Sequence, residues 1–456
     1  MASQVKIRKA KTFAELRQVC RPRPLTGEQL KAFFVETDRA RNPQQRTREL
    51  IAQTLSEQPD ARILFYGHRG CGKSTELNKL LTEIGDRYLA VQFSVEEHMN
   101  MVAARAEDLL LLICERILQK AKAESLDVNE RVLEGVNRYF AETVTTTSTG
   151  HDVEAAVKAG AKVKTPSVLA ALLSLFAQIK GEIRYNAHSD ETTVAKLRKR
   201  PADLVAQANA VIQAVRDRLP KGKRLLVIVE DLDKLDLARA RPMFVENVSL
   251  LAGITTNIIY TVPVFLFHSP DVGQFRPHFD AAYALPMIKV REPSPTGGTV
   301  RRTEGFDIVK HIVRERVEED LIEEEALDVL VGKTGGVLRH VFQVLEIATT
   351  ISDVSPPLRR EHIGYGLQQL AKEFWTQISL PHNASEIPDC PKRVEELYER
   401  LAECARSQNE GKPSPCKADA TNQILLRSCA LVEYNGQGWL GVHPLVEENL
   451  RQLGRL

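Results

Sequence analysis

The 456-residue chain reads as an α/β protein built on a parallel sheet, with a long helical insert inside the sheet and helical units after it. Three observations carry this reading. A buried strand around Ile63 to Tyr66 runs into a glycine-rich loop and then into a helical pattern at Leu77, Leu80 and Leu81. A second apolar run, Leu225 to Val229, ends at once in Glu230 and Asp231, as a central parallel strand does when it delivers acids to its C-terminal edge. Further short β-like runs alternate with stretches of helical periodicity, the mark of strand–helix–strand units.

The first strand and its loop read RILFYGHRGCGKSTEL from Arg62 to Leu77. Gly67, Gly70 and Gly72 let the backbone curl with its N–H groups turned inward, across His68, Arg69 and Cys71. Lys73 adds a mobile cation, Ser74 a hydroxyl for Mg²⁺, and Thr75 opens the helix. Strand, loop and helix together make this a phosphate cradle, a P-loop, and ATP with Mg²⁺ the expected ligand.

Taken in order, residues 1–60 form a lead-in with a basic start, a loop at Arg21 to Thr26, and helical stretches at Leu30 to Phe34 and Arg46 to Leu55. Val35, Thr37, Arg39 and Arg41 are candidates there for base or phosphate contacts, a solvated helix start being the plainer alternative. The core is expected over 61–293. After the cradle comes a helix to about Ile84 and a strand from Tyr88 to Ser94. A helical insert then spans about 97–200, with helices over Met101 to Ala123 and Val128 to Thr143, a Thr/Ser-rich link (TVTTTSTGHD), and an apolar helix from Val168 to Ile179 read as buried core, a partner-binding or membrane-touching helix being the alternative. The basic cluster Lys196 to Arg200 suits either phosphates or a solvated helix end.

Residues 202–218 are helical and lead to the acidic strand. In a phosphate-binding fold the edge after Val229 is where metal and attacking water sit, so EDLDKLD is a Walker B signal. Glu230 and Asp231 are the candidates for holding the metal with Ser74 and for activating water; Glu230 fills the metal position and leaves Asp231 as the base, with the reverse assignment left open. Asp233 reads as a supporting or capping residue. A further strand, Asn257 to Val262, offers Thr261 to orient the water, in preference to Ser269. Arg276 precedes a fifth strand read at Leu285 to Val290, and could reach a nucleotide in a neighbouring subunit; a plain surface arginine explains it equally well.

Residues 292–304 are Pro/Gly-rich and look like a linker. A helical lid is expected over 294–375, where Gly335-Gly336 breaks the chain before a helix whose first turn carries Arg339. Over 376–456, helices at Pro391 to Cys404 and Ala418 to Leu431 precede an Asn435-Gly436 hairpin turn, which predicts a separate winged-helix unit. Its second helix offers only Lys417 and Arg427 as cations, so a protein contact or a weak DNA contact is expected.

With Walker A, the long insert, Walker B, Thr261, Arg276 and GGVLR in this order, the chain resembles AAA+ or STAND-type P-loop ATPases over about residues 60–345. The following unit is similar to the winged helix of origin-recognition initiators and transposition regulators. VIVEDLDKLD also looks like the KAP group of P-loop NTPases. Glu230 departs from the aspartate usual at the metal position. The resemblance implies an ATPase whose Gly67, Gly72, Lys73, Ser74 and Thr75 hold phosphate and Mg²⁺, with Arg339 sensing them from the lid. It implies a conformational switch in a regulatory or DNA-linked assembly, as a homo-oligomer or with a partner protein. A nucleotide-gated scaffold with little turnover is the alternative.

Bulk properties narrow this further. The 62 basic and 60 acidic side chains leave a net charge of +2, which gives no global pull toward nucleic acid or membrane. No apolar run approaches the roughly 20 residues of a spanning helix, and the N-terminus lacks the apolar core of a signal peptide, so a cytoplasmic location is expected. The seven cysteines contain no C-x-x-C pair, so free thiols are expected. Cys71, inside the cradle, stands out among them for the reactivity that neighbouring N–H groups can confer.

Overall fold

Five strands form one parallel sheet: β1 (Arg62–Gly67), β2 (Tyr88–Ser94), β3 (Arg224–Glu230), β4 (Asn257–Pro263) and β5 (Ala281–Ala284), in the spatial order β2-β3-β4-β1-β5. The computed structural model describes residues 7–145, 167–185, 200–294, 296–412, 414, 417–434 and 439–456. The Thr/Ser-rich link past residue 145, the basic residues 196–199, Cys416 and the Asn435-Gly436 turn lie outside them. β4 separates β1 from β3, so the glycine loop and the acids leave the same sheet edge with one strand between them, and a crevice opens there.

Alternation along each strand sets the two faces. Ile63, Phe65, Leu226, Ile228 and Ile259 pack with Leu77 and Leu80 of the P-loop helix (Lys73–Ile84) and with Ile51 and Leu55 of the lead-in helix (Thr47–Glu57). Leu64, Val227, Val229 and Tyr260 face the opposite layer, which carries the insert. There the helices Ala106–Ala123, Glu130–Thr145, Val168–Tyr185 and Pro201–Arg216 pack as a bundle. The apolar helix Val168–Tyr185 buries Leu172, Phe176 and Ile179 in it, while Leu169, Leu173 and Leu175 are only partly covered.

Two expectations need correction. The fifth strand is Ala281–Ala284, not Leu285 to Val290. Pro286 has no N–H for the ladder, so after the Leu285 N–H donates to the Tyr66 carbonyl (2.7 Å) the chain leaves the sheet. The Met287 N–H then donates to the Glu433 carbonyl (3.2 Å) in the C-terminal part. The stretch read as a linker is a hairpin, β6 (Arg291–Pro293) with β7 (Thr299–Arg301). Its turn uses Gly297 and Gly298 at φ +96° and +75°, where a side chain on Gly297 would meet the Asn409 carbonyl at 2.8 Å.

Helices Thr303–Arg314, Glu324–Thr334, Leu338–Ala348 and Arg360–Gln377 follow. Beyond them lie Val394–Asn409, Ala420–Arg427, the antiparallel pair β8 (Leu431–Glu433) and β9 (Leu440–Val442), and Pro444–Gln452. This last part is not separate. Ala420–Arg427 packs on residues 264–268 just after β4, and Pro444 sits against Gly335. Among the described residues no helix is long and apolar enough to cross a membrane.

Candidate nucleotide-phosphate site

The loop from Gly67 to Gly72 is set by glycine at the two positions that need positive φ, Gly70 (+75°) and Gly72 (+106°). It is also braced from outside. Arg41, buried, donates from Nε to the Thr37 hydroxyl (2.8 Å), from Nη2 to the Cys71 carbonyl (2.7 Å), and from Nη1 to the Pro286 carbonyl. The lead-in arginine thus holds the loop's backbone, and its donors are taken by carbonyl and hydroxyl oxygens. Leu25 of the lead-in docks on the helix start, its N–H donating to the Thr75 hydroxyl (3.2 Å), which turns that side chain toward the lead-in.

Lys73 Nζ donates to the Gly67 and His68 carbonyls, each at 2.9 Å, and pairs with Asp233 Oδ2 at 2.8 Å. Burial alone would discharge both groups. Each outweighs that penalty for the other, the lysine held above its ordinary pKa and the aspartate below, so the pair is ionised. Asp233, read from the sequence as a supporting acid, is the direct counter-ion of the loop lysine; only the sheet order could reveal this.

Glu230 is buried beside Ser74, and its Oε1 accepts from Gln92 Nε2 at 2.6 Å. Burial raises its pKa, and its Oε2 is buried without a partner. A carboxylate oxygen left over beside a serine hydroxyl fits a divalent cation. Mg²⁺ is such an ion, usually bound through one or two carboxylates together with the substrate's phosphates. Asp231 points elsewhere. It sits at φ +68°, where its Oδ2 accepts from the Ser94 hydroxyl (2.5 Å) and its Oδ1 pairs with Lys234 (2.9 Å). Gln92 and Ser94 were missed from the sequence; the signal was there as polar residues alternating at the end of an otherwise apolar strand.

Arg339 lies along Gly70. A Cβ there would meet the Arg339 Cβ at 2.5 Å and Nε at 3.0 Å, and that Nε is buried with no partner. The helix carrying it starts after Gly336, at φ +80°, where a side chain would strike the Ile288 carbonyl at 2.1 Å. Arg69 also has an unpartnered Nε, and its Nη2 donates to the Lys234 carbonyl. Cys71 is buried with Sγ 3.9 Å from Lys73 Nζ. Two candidates are placed differently from the reading. Thr261 donates to the Val229 carbonyl (3.2 Å) within the sheet, because β4 runs on to Pro263 opposite Gly67, leaving Thr261 short of the edge. Arg276 is half-buried, with Nη1 on the Phe279 carbonyl at 2.8 Å.

His68 joins this loop to the C-terminal part. Its Nε2 accepts from the Glu433 N–H (2.8 Å), so its proton lies on Nδ1, 3.8 Å from Cys429 Sγ. Next to Arg339, His340 Nδ1 lies 3.1 Å from His443 Nε2, while His443 Nδ1 accepts from the Leu445 N–H (3.2 Å). Burial holds all three rings neutral, with His68 lowered to about 4, His340 to about 3, and His443 well below its ordinary value. Below pH 6.5 the unfolded chain therefore binds more protons at these positions than the folded one. Stability is expected to fall as pH drops from 6.5 toward 4, by as much as about 4 kcal/mol per pH unit where all three titrate together. Melting temperature against pH checks this, and a flat profile over that window would contradict it.

A glycine loop after β1, its lysine at the start of the following helix, and acids after β3 across an intervening β4 define a P-loop ATPase fold. No protein-family model matches the chain, and no curated protein matches it. Among solved structures it is similar to the Walker-type ATPase PABY2304 of Pyrococcus abyssi, at 13% identity and TM-score 0.42 over 95% of this chain and 99% of that one. It is also similar to Cdc6p from Pyrobaculum aerophilum, at 12% identity and TM-score 0.32 over 93% and 100%. The assignment of the fold rests on the sheet order and the loop.

Proposed function

We propose that this protein binds ATP with Mg²⁺ at the Gly67–Thr75 loop and hydrolyses it, using the cycle as a conformational switch. The convergence of Lys73, the Ser74–Glu230 pair and Arg339, whose Nε is unpartnered, on one loop carries the reading. Lys73 turns from Asp233 to the β- and γ-phosphates, and Arg339 meets them from the lid side. Mg²⁺, held by Ser74 and Glu230, would offset the charge that develops on the phosphate oxygens. Asp231, once turned from Ser94 and Lys234, takes a proton from water as the water oxygen bonds to the γ-phosphorus. The bond from that phosphorus to the bridging oxygen breaks, leaving ADP and phosphate. In this scheme residues 1–60 brace the loop, 61–293 form the core, 294–375 the lid and 376–456 a winged helix.

The second helix of that winged helix, Ala420–Arg427, lies on the core, and Lys417 pairs with Glu403 at 3.4 Å. A DNA contact through it therefore requires the C-terminal part to lift, and a regulatory role in a homo-oligomer or with a partner protein in the cytoplasm fits equally. Arg276 would then serve a neighbouring subunit once released from Phe279. A slow nucleotide-gated scaffold is the second reading, favoured by Asp231 having both oxygens engaged. Phosphate release from ATP by the purified protein, alone and with duplex DNA, separates the two. Magnesium-dependent release is expected; tight ATP binding with background release would establish the scaffold.

A further inference from the structure

Lys234 bridges two carboxylates that belong to different parts of the molecule. Its Nζ lies 2.9 Å from Asp231 Oδ1 and is also paired with Glu96. Glu96 stands two residues past β2, where the chain turns from the sheet into the helical insert, and Val95 before it donates its N–H to the Glu230 carbonyl (3.0 Å). The other oxygen of Asp231 accepts from Ser94. With Ser94 on one oxygen and an ammonium on the other, the Asp231 carboxylate is gripped from both sides by the protein itself.

We infer that Lys234 is a latch on Asp231, and that the root of the insert, through Glu96, sets how firmly the latch is closed. The inference rests on the proposed ATPase reading and on Asp231 as its base. While Lys234 stays on Oδ1 and Ser94 on Oδ2, the carboxylate is held in an orientation set by those two partners rather than by the water. A movement of the insert that draws Glu96 away with Lys234 frees Oδ1, and hydrolysis proceeds. A partner bound to the insert would in this way raise turnover without touching the nucleotide. Lys234 is a positioning residue: it acts on the reaction only through Asp231.

The arrangement makes predictions of opposite sign for half-buried Lys234 and exposed Glu96. Lys234→Met removes the latch and is expected to raise kcat about three- to tenfold, a fraction of the range through which a positioned base acts. Glu96→Gln removes the competitor for Lys234, leaves the ammonium to Asp231 alone, and is expected to lower kcat about threefold, within the worth of a half-exposed ion pair. The double variant should behave as Lys234→Met, and Lys234→Arg, which keeps a cation, should stay near wild type. ATP affinity, measured by calorimetric titration of the full chain, should be unchanged throughout. A kcat that falls or stays level in Lys234→Met, or falls in both single variants, overturns the inference. Failure of the wild-type chain to bind ATP would instead sink the ATPase reading on which it rests.

Discussion

Lys73→Ala is expected to lose ATP binding by a factor of about 100 or more. Two charge-assisted hydrogen bonds to phosphate, at about 1.5–3 kcal/mol each, disappear together, and the loop's other cation, Arg69, is directed to the Lys234 carbonyl. The same substitution leaves Asp233 buried without its counter-ion, and breaking a buried pair from one side costs about 3–5 kcal/mol. The variant should therefore be destabilised as well as inactive. Lys73→Met with Asp233→Asn separates the two effects: removing both charges should restore most of the stability, while ATP binding stays lost. Calorimetric titration and thermal denaturation of the three chains provide the check. Retained affinity in either variant would move the phosphates away from this loop, and an unaltered melting temperature in Lys73→Ala would deny the pair with Asp233.

Asp231→Asn is expected to keep ATP affinity and to lower hydrolysis about 10²- to 10⁴-fold, the usual share of a positioned base. Asparagine is the informative replacement because the backbone here is left-handed, at φ +68°, which asparagine tolerates as aspartate does. The side chain keeps its size and an oxygen for the Ser94 hydroxyl, while it loses both proton acceptance and the charge that pairs with Lys234. Glu230→Gln should act differently: it alters the group beside Ser74, and loss of magnesium-dependent binding is the expected sign. Single-turnover phosphate release alongside nucleotide titration distinguishes the two acids. Full turnover in Asp231→Asn would transfer the base elsewhere, with Glu230 and its unpartnered oxygen the next to test.

Much of the site was legible before any coordinates. Glycine spacing and the flanking strand and helix specify the cradle within one short stretch, because backbone sterics at Gly70 and Gly72 act locally. The apolar run ending in Glu230 and Asp231 likewise announced a central strand. Arg339, read from the Gly335-Gly336 break, does lie on the loop, since only glycine fits against the Ile288 carbonyl at Gly336. The misreadings share a cause. Thr261 and the Leu285 to Val290 strand were placed by apolar pattern, whereas strand ends depend on partners: β4 continues because Gly67 pairs with Pro263, and β5 stops because Pro286 offers no donor.

Local chemistry along the chain thus specified a glycine loop between strand and helix, and acids at the end of a second strand. Which acid meets which cation was decided by the fold. The order β2-β3-β4-β1-β5 sets Ser94 opposite Glu230 and lets Asp233 reach Lys73 from the turn after β3. Docking of the C-terminal part gives His68 its partner at Glu433. Such pairings join residues far apart in sequence, and their energies depend on burial that exists only when the sheet is assembled, so no spacing rule along the chain carries them.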